Sequence, residues 1–307
     1  MPEGDTVWRS ALHLDRALSG ATLLETDFRV PAYANLDLTG RLVESTVARG
    51  KHLLTRIGPV GGTGDRTDDR TGDRTGRTLH THLKMEGAWH LYKPGTRWRR
   101  PAHEARVVLR TDEWTAVGFA LGVVEVVARD AEENVVGHLG PDLLGADWDE
   151  DEALRRLLAT PVEEATRREV GEALLGQRCP AGAGVHMNTV QGATREVGDA
   201  LLDQRCLAGI GNLYKAEALF LSGVSPFRVV GDVPDLRRVV RLARRLMMAN
   251  KFTPMQTTTG VARRGQENWV FGRAGRPCRR CGTRIRSQMQ GPPLRERITY
   301  WCPSCQP

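Results

Sequence analysis

Residues 278–305 read CRRCGTRIRSQMQGPPLRERITYWCPSC, a Cys278-x2-Cys281 pair and a Cys302-x2-Cys305 pair with 20 residues between them. Two thiolate pairs on tight knuckles are the ligand pattern of tetrahedral zinc, and the length between them suffices for a β-hairpin. Four thiolates leave no coordination position open, so one structural zinc ion is expected. In a chain expected to be cytosolic the spacing favours metal over disulfides. Cys179 and Cys206 are left over and are expected to be reduced thiols without a role.

The same region is basic. Between Arg263 and Arg297 there are ten Arg and no Lys against Glu267 and Glu296, a local charge of +8 in a chain whose net charge is +7. That concentration points to a polyanionic partner, nucleic acid first. Arg is frequent throughout, 39 against five Lys, so charge alone fits a solvated arginine-rich face equally well. A length of 307 residues suits two domains and a small module. With 40% apolar and 26% charged residues the chain is not broadly disordered. No apolar run reaches the ~18–20 residues of a membrane span. Met1-Pro2-Glu3-Gly4-Asp5 lacks the basic and apolar regions of a secretory signal, so a cytosolic protein is expected.

Upstream, the hydrophobic period changes twice. Val7, Ala11, Leu14 and Leu18 form a helical stripe over Asp5–Leu18, with Asp5 or Thr6 as cap. From Thr22 to about Val127 short β runs follow, at Lys51–Ile57, Leu79–Lys84, Ala88–Tyr92, Ala105–Thr111 and Trp114–Phe119, the pattern of a sandwich or barrel. Residues 61–78 (GGTGDRTDDRTGDRTGRT) bury almost nothing and are expected to be a flexible insertion between strands. After a Gly/Pro/Asp-rich linker the pattern becomes helical at Glu152–Ala159, Val162–Leu175 and Leu236–Met247. The arginines of the last helix, Arg237, Arg238, Arg241, Arg244 and Arg245, lie opposite its apolar stripe and are expected to be solvated.

A 27-residue repeat lies in the helical part: REVGEALLGQRCPAGAG (168–184) recurs as REVGDALLDQRCLAGIG (195–211). Two units are too few for a solenoid, so this reads as a local duplication. The second copy runs into Asn212-Leu-Tyr-Lys-Ala-Glu-Ala-Leu-Phe220, an Asn-capped helix, whereas the first has Val185 at that position and no helical stripe after it. The second copy is therefore the working one. Its turn Gly209-Ile210-Gly211-Asn212 could seat a phosphate on free N–H groups, or be an ordinary turn with an N-cap.

Four motifs, in order along nearly the whole chain, resemble those of the formamidopyrimidine-DNA glycosylase/endonuclease VIII family. They are Met1-Pro-Glu-Gly-Asp5, Arg49-Gly-Lys-His-Leu-Leu54, Leu201-Leu-Asp-Gln with Ala208-Gly-Ile-Gly-Asn212, and Tyr300-Trp-Cys-Pro-Ser-Cys-Gln306. The last is more similar to the endonuclease VIII (Nei) branch. The resemblance implies an α+β multidomain chain: an N-terminal two-layer β-sandwich with flanking helices, a helix–two-turns–helix domain and a C-terminal zinc-finger hairpin, with DNA in the cleft between. The expected divisions are 1–130 for the catalytic sandwich, 131–150 for a linker, 151–255 for the DNA-binding domain with the duplication near 168–194, and 268–307 for the zinc finger.

The resemblance also implies site residues. Pro2, once Met1 is removed, is the nucleophile that displaces the damaged base and forms a Schiff base. A terminal amine is about 10% neutral at pH 7 where a lysine is under ~0.1% neutral, so it needs no special burial to react. Glu3 is the acid/base beside it, and Lys51 contacts the phosphate at the lesion. Asn212 and Arg297 grip neighbouring phosphates, the guanidinium with two donors in a fork. Lys84 and Met85 correspond to the loop that fills the void left by a flipped base, Met85 as wedge, although the same residues also suit a plain hairpin turn. The implied reaction is glycosylase and AP-lyase chemistry (β,δ-elimination) on oxidised bases, pyrimidines first and formamidopyrimidine or 8-oxoguanine as the alternative. A monomer is expected, with damaged DNA as partner and neither membrane nor nucleotide cofactor. Two other readings remain from the residues: a metal enzyme using His80 and His82 with His52 or His90, and a DNA-binding protein of this fold with catalysis lost, for instance through the duplication.

Overall fold

Val7, Ala11, Leu14 and Leu18 are all buried on one side of helix α1 (Gly4–Leu18), as their spacing requires. The computed structural model describes residues 2–60, 76–159 and 195–307. Glu3, not Asp5 or Thr6, is the N-cap residue, and its side chain makes no cap hydrogen bond.

Eight strands follow: β1 (Glu25–Phe28), β2 (Arg41–Arg49), β3 (His52–Val60), β4 (Arg77–His82), β5 (Ala88–Tyr92), β6 (Ala105–Arg110), β7 (Thr115–Phe119) and β8 (Val123–Ala128). They form two four-stranded antiparallel sheets, ordered β1-β6-β7-β5 and β2-β3-β4-β8. Val43, Leu53, Ile57 and Leu79 from one sheet share a core with Val107, Leu109 and Ala116 from the other and with the α1 stripe. Each buried Val, Leu or Ile side chain among them contributes about 1.5–3 kcal/mol by leaving water.

Three strands escape the sequence reading. β1 is short, β2 buries Arg41 and Thr46 while exposing Leu42, and β8 shows no regular alternation of buried and exposed residues. Conversely, Arg77 and Thr78, expected in the insertion, belong to β4, where buried Thr78 donates to Glu132 at 2.9 Å. The rest of that insertion, residues 61–75, lies outside the described residues, as do the helix expected at 162–175 and the first repeat copy.

The chain divides into two compact units, one of residues 1–148, 208–211 and 244–256, the other of 149–207, 212–243 and 257–307. The first contains the sandwich and the short helix α2 (Glu132–Val136). The second contains α3 (Glu150–Ala159), α4 (Val197–Ala200) and α5 (Asn212–Ser222), the start of α6 (Leu236–Asn250), and the hairpin β9 (Arg286–Gln290) with β10 (Arg297–Trp301). Phe220, Val270 and Ile285 pack with Cys278 and Cys302 in its core. Two of the helix arginines expected to be solvated are instead paired: Arg237 reaches Asp151 at 2.6 Å and Arg241 reaches Glu150 at 2.9 Å. The acidic first turn of α3 supplies both partners.

Candidate active site

In the first unit the chain start is pinned. Gly4 N–H donates to the Gly209 carbonyl at 2.9 Å, and Gly211 N–H donates to Glu3 Oε2 at 2.8 Å. Glu3 is 1% exposed although it stands third in the chain, where fraying is the usual state. Gly209 has φ +95°, a conformation that favours glycine, and at Gly211 a Cβ would overlap the Glu3 carboxylate. The Gly-x-Gly turn is therefore not a phosphate seat at Gly211, whose N–H is spent on Glu3. No sequence pattern signals this role, because residues 3 and 211 have no local pattern in common. Asp5 accepts from Gln256 at 2.9 Å, which holds the next turn of α1.

Lys51 sits in the turn between β2 and β3. Gly50, at φ +58°, makes the corner, and its N–H donates to Asp142 Oδ2 at 2.7 Å. Asp142 also accepts from Leu144 N–H at 3.0 Å. Burial pushes the Asp142 carboxyl up, with these donors acting against it. Arg49, before the glycine, bonds Asp147 at 3.0 Å. Residues 140–147, read from sequence as linker, thus brace the Lys51 turn.

Lys84 and Met85 form the turn between β4 and β5. Lys84 adopts φ +52°, a strained conformation for a non-glycine residue, and its N–H donates to His82 Nδ1 at 2.9 Å. Gly87 N–H closes the turn on the Leu83 carbonyl at 2.9 Å. Leu83 is buried beneath the turn while Met85 is 66% exposed at its tip.

In the second unit Asn212 opens α5, but its amide does not cap the helix. Nδ2 donates to the Ile298 carbonyl at 2.6 Å, and Oδ1 has no hydrogen-bond partner among the described residues. Ile298 follows Arg297, so this bond ties Asn212 to the strand that carries exposed Arg297. Lys215, fully buried on α5, donates to Thr299 Oγ1 at 2.6 Å and fixes the same strand. Glu217, also fully buried, accepts from the N–H groups of Trp269, Val270 and Phe271, each at 2.8 Å, and from the Thr258 hydroxyl. Neither buried charge was anticipated. Their spacing on a helix with apolar neighbours gives no sign of burial.

Cys278, Cys281, Cys302 and Cys305 bring their Sγ atoms within 4.8 Å of one another. A tetrahedron with metal–sulfur bonds of about 2.3 Å has edges of about 3.8 Å. The Cys278–Cys305 and Cys281–Cys302 separations are 3.9 and 3.5 Å, so the four thiols fit one tetrahedral ion. Cys206 is a buried free thiol, and Cys179 lies outside the described residues.

The histidine metal site considered from sequence does not form. His52 Nδ1 and His80 Nε2 are 2.8 Å apart, His80 Nδ1 lies 2.9 Å from Glu125 Oε2, and His82 Nδ1 is taken by Lys84 N–H. Both nitrogens of His80 are thus used within the protein. His90 stands on the other sheet and bonds Tyr92.

A sandwich with a clamped N-terminus, together with a unit of helices and a four-cysteine hairpin, defines the class of the formamidopyrimidine-DNA glycosylases. Residues 1–120 match the family model of the formamidopyrimidine-DNA glycosylase N-terminal domain, and residues 184–248 match its H2TH domain. The second repeat copy falls within that latter match. The solved Lactococcus lactis Fpg in complex with abasic-site DNA shares the fold, with a TM-score of 0.68 over 99% of each chain at 18% identity.

The chain belongs to the formamidopyrimidine-DNA glycosylase/endonuclease VIII family, on its endonuclease 8 branch. It is 46% identical to the probable endonuclease 8 2 of Streptomyces coelicolor, the match covering all of this chain and 94% of that protein. It is 40% identical to the DNA-(apurinic or apyrimidinic site) lyase Nei2 of Mycolicibacterium smegmatis, over all of this chain and 99% of that one.

Proposed function

We propose that the chain is a bifunctional DNA glycosylase and AP lyase of base excision repair, acting through its N-terminal proline on oxidised pyrimidines. The observation that carries this reading is the pinned chain start, with Glu3 buried and held by Gly211 N–H at 2.8 Å. A terminus that only began a helix would need no such clamp. A nucleophile at residue 2 needs its neighbours fixed, because catalysis depends on reactants being held in place.

In this reading Met1 is removed and the Pro2 secondary amine attacks C1′ of the damaged nucleotide. The C1′–base bond breaks and the base leaves with the proton the amine gives up; the C1′–O4′ bond then breaks as O4′ takes a proton, which leaves the ring-opened iminium. Glu3 supplies and accepts the protons, first at the ring oxygen. Elimination at the iminium then cleaves the strand on both sides of the sugar. Lys51, on its braced turn, and Asn212 and Arg297, linked through β10, grip backbone phosphates. The strained Lys84–Met85 turn presents Met85 to the space a flipped base leaves. Cys278, Cys281, Cys302 and Cys305 would hold a zinc ion that fixes the hairpin carrying Arg297 and, with four thiolates bound, would have no open coordination position for chemistry. The protein is expected to act as a cytosolic monomer.

Pyrimidine preference rests on the endonuclease 8 relatives and on the Tyr300–Gln306 tail motif. Matched duplexes bearing one thymine glycol or one 8-oxoguanine test it. Faster base release from thymine glycol, ending in a 5′-phosphate and a 3′-phosphate, is the expected result. Preference for 8-oxoguanine would overturn the assignment of lesion while leaving the reaction class in place.

A further inference from the structure

Beside Lys51 the sandwich carries a hydrogen-bonded chain of side chains that the reading above does not use. Strand register creates it: His80 pairs with Glu125 across β4 and β8, His52 pairs with His82 across β3 and β4, and alternation puts all four on one face. His80 is 3% exposed, while His52 is half-buried. An ionised carboxylate only accepts, so His80 donates through Nδ1 to Glu125 at 2.9 Å. With Nδ1 donating, His80 Nε2 is placed to accept, and His52 Nδ1–H is then the donor, at 2.8 Å. The chain of bonds therefore sets the tautomer of His52 and leaves its Nε2 as a lone pair.

The surroundings of His52 are short of negative charge. His82 meets its ring edge-on at 5.1 Å, His138 lies at 6.3 Å, and Lys84 is close enough to act on it electrostatically. Lys51 adjoins it in sequence and acts on His82. Glu125 is the one acid in the group and reaches His52 only through His80. Burial together with these neighbours pushes the His52 imidazole down to about 3, so it is neutral in the free protein. A neutral imidazole with a bare nitrogen, ringed by lysines and other imidazoles, becomes a good anion ligand once an arriving anion compensates the cost of a proton.

We propose that His52 grips a backbone phosphodiester of DNA beside Lys51, with His80 and Glu125 as its positioning residues, and that the contact forms with uptake of one proton at His52 Nε2. The proposal rests on the reading of this chain as a DNA repair enzyme. The proton comes from solvent, Nδ1–H stays on its bond to His80, and the imidazolium pairs with the phosphate. When DNA departs the proton returns to solvent. Glu125 supports the imidazolium through His80, as a carboxylate behind a histidine does elsewhere.

Calorimetric titration of the zinc-loaded protein with a duplex bearing a tetrahydrofuran abasic analogue, in two buffers of different ionisation enthalpy at pH 6.5, counts the protons. Wild type should take up a measurable fraction of a proton, larger at lower pH, and its affinity should weaken as pH rises, by at most about tenfold per unit for one linked proton. His52→Gln should lose most of that uptake and flatten the profile, although His82 remains. Glu125→Gln should move the fall in affinity to lower pH. Thermal melting at pH 8 checks that both variants are folded. Equal uptake and equal profiles in wild type and His52→Gln would overturn the proposal, as would no uptake by wild type. The same uptake driven by inorganic phosphate alone would make this a general anion seat and refute the DNA assignment. Failure of wild type to bind the duplex at any pH would instead refute the repair-enzyme reading.

Discussion

Replacing Glu217 by Ala should destabilise the second unit by an amount that its hydrogen bonds allow one to bound. The carboxylate is buried and accepts from three consecutive backbone N–H groups at 2.8 Å and from the Thr258 hydroxyl. Burial pushes its pKa up, and the four donors act against that shift. Alanine leaves the three backbone donors without that acceptor, while the Thr258 hydroxyl keeps the Glu267 carbonyl at 3.3 Å. Each orphaned buried donor costs about 1–3 kcal/mol, while removing the buried charge recovers part of its desolvation penalty. A net loss of about 3–5 kcal/mol follows, against a total stability of about 5–15 kcal/mol. For a 307-residue protein, at about 2.1 cal/mol/K of unfolding entropy per residue, that is a fall in Tm of roughly 5–8 °C. Glu217→Gln keeps one acceptor oxygen but turns an NH2 toward backbone donors, so it should fall between wild type and Glu217→Ala. Differential scanning calorimetry with zinc measured on the same samples is the assay. A drop below about 3 °C would refute the reasoning and show that residues 269–271 are held by other contacts, such as the stack of Trp269 on Phe220.

Gly211→Ala would drive a methyl group into the Glu3 carboxylate and should lower single-turnover base release by about tenfold to a hundredfold. A wild-type rate in a folded variant would remove the clamp from the account. Metal analysis should give one zinc per chain, and Cys281→Ser or a strong chelator should lower both zinc content and DNA affinity; undiminished affinity without zinc would contradict the structural role. The folded values of His52 and His82 lie at about 3 and about 4, below the ordinary 6.5. Below pH 6.5 the unfolded chain therefore binds more protons than the folded one, and stability falls as pH drops from about 6.5 toward 4. A double His52→Gln, His82→Gln variant should lose less Tm than wild type between pH 7.5 and pH 5; an equal loss would contradict these shifts.

The fold was legible where side chains repeat with a clear period. The α1 stripe, most sandwich strands and the cysteine spacing each fix local structure, and the structure shows all three. Strands with mixed polarity, such as β2, were not legible, because a face is recognised as buried only when its partner is known. The site divides the same way. The candidate site residues Pro2, Glu3, Lys51, Asn212 and Arg297 are proposed from motifs. The residues that hold them could not be named that way: Gly211 for Glu3, Asp142 for the Lys51 turn, and Lys215 with Thr299 for the strand of Arg297. Each acts through a contact distant in sequence, by a backbone N–H or a buried charge that carries no motif. The relay of Glu125, His80 and His52 is similar, since it exists only through the register of three strands.

The central claim, that the amine of Pro2 is the nucleophile, is tested most directly by borohydride reduction on a duplex with a single abasic site, followed by proteolysis and mass spectrometry. The account predicts one covalent protein–DNA adduct per chain, with the sugar fragment on the peptide that begins at Pro2 and Met1 absent. An adduct located on any of the five lysines, or one formed equally well by protein that retains Met1, would contradict it.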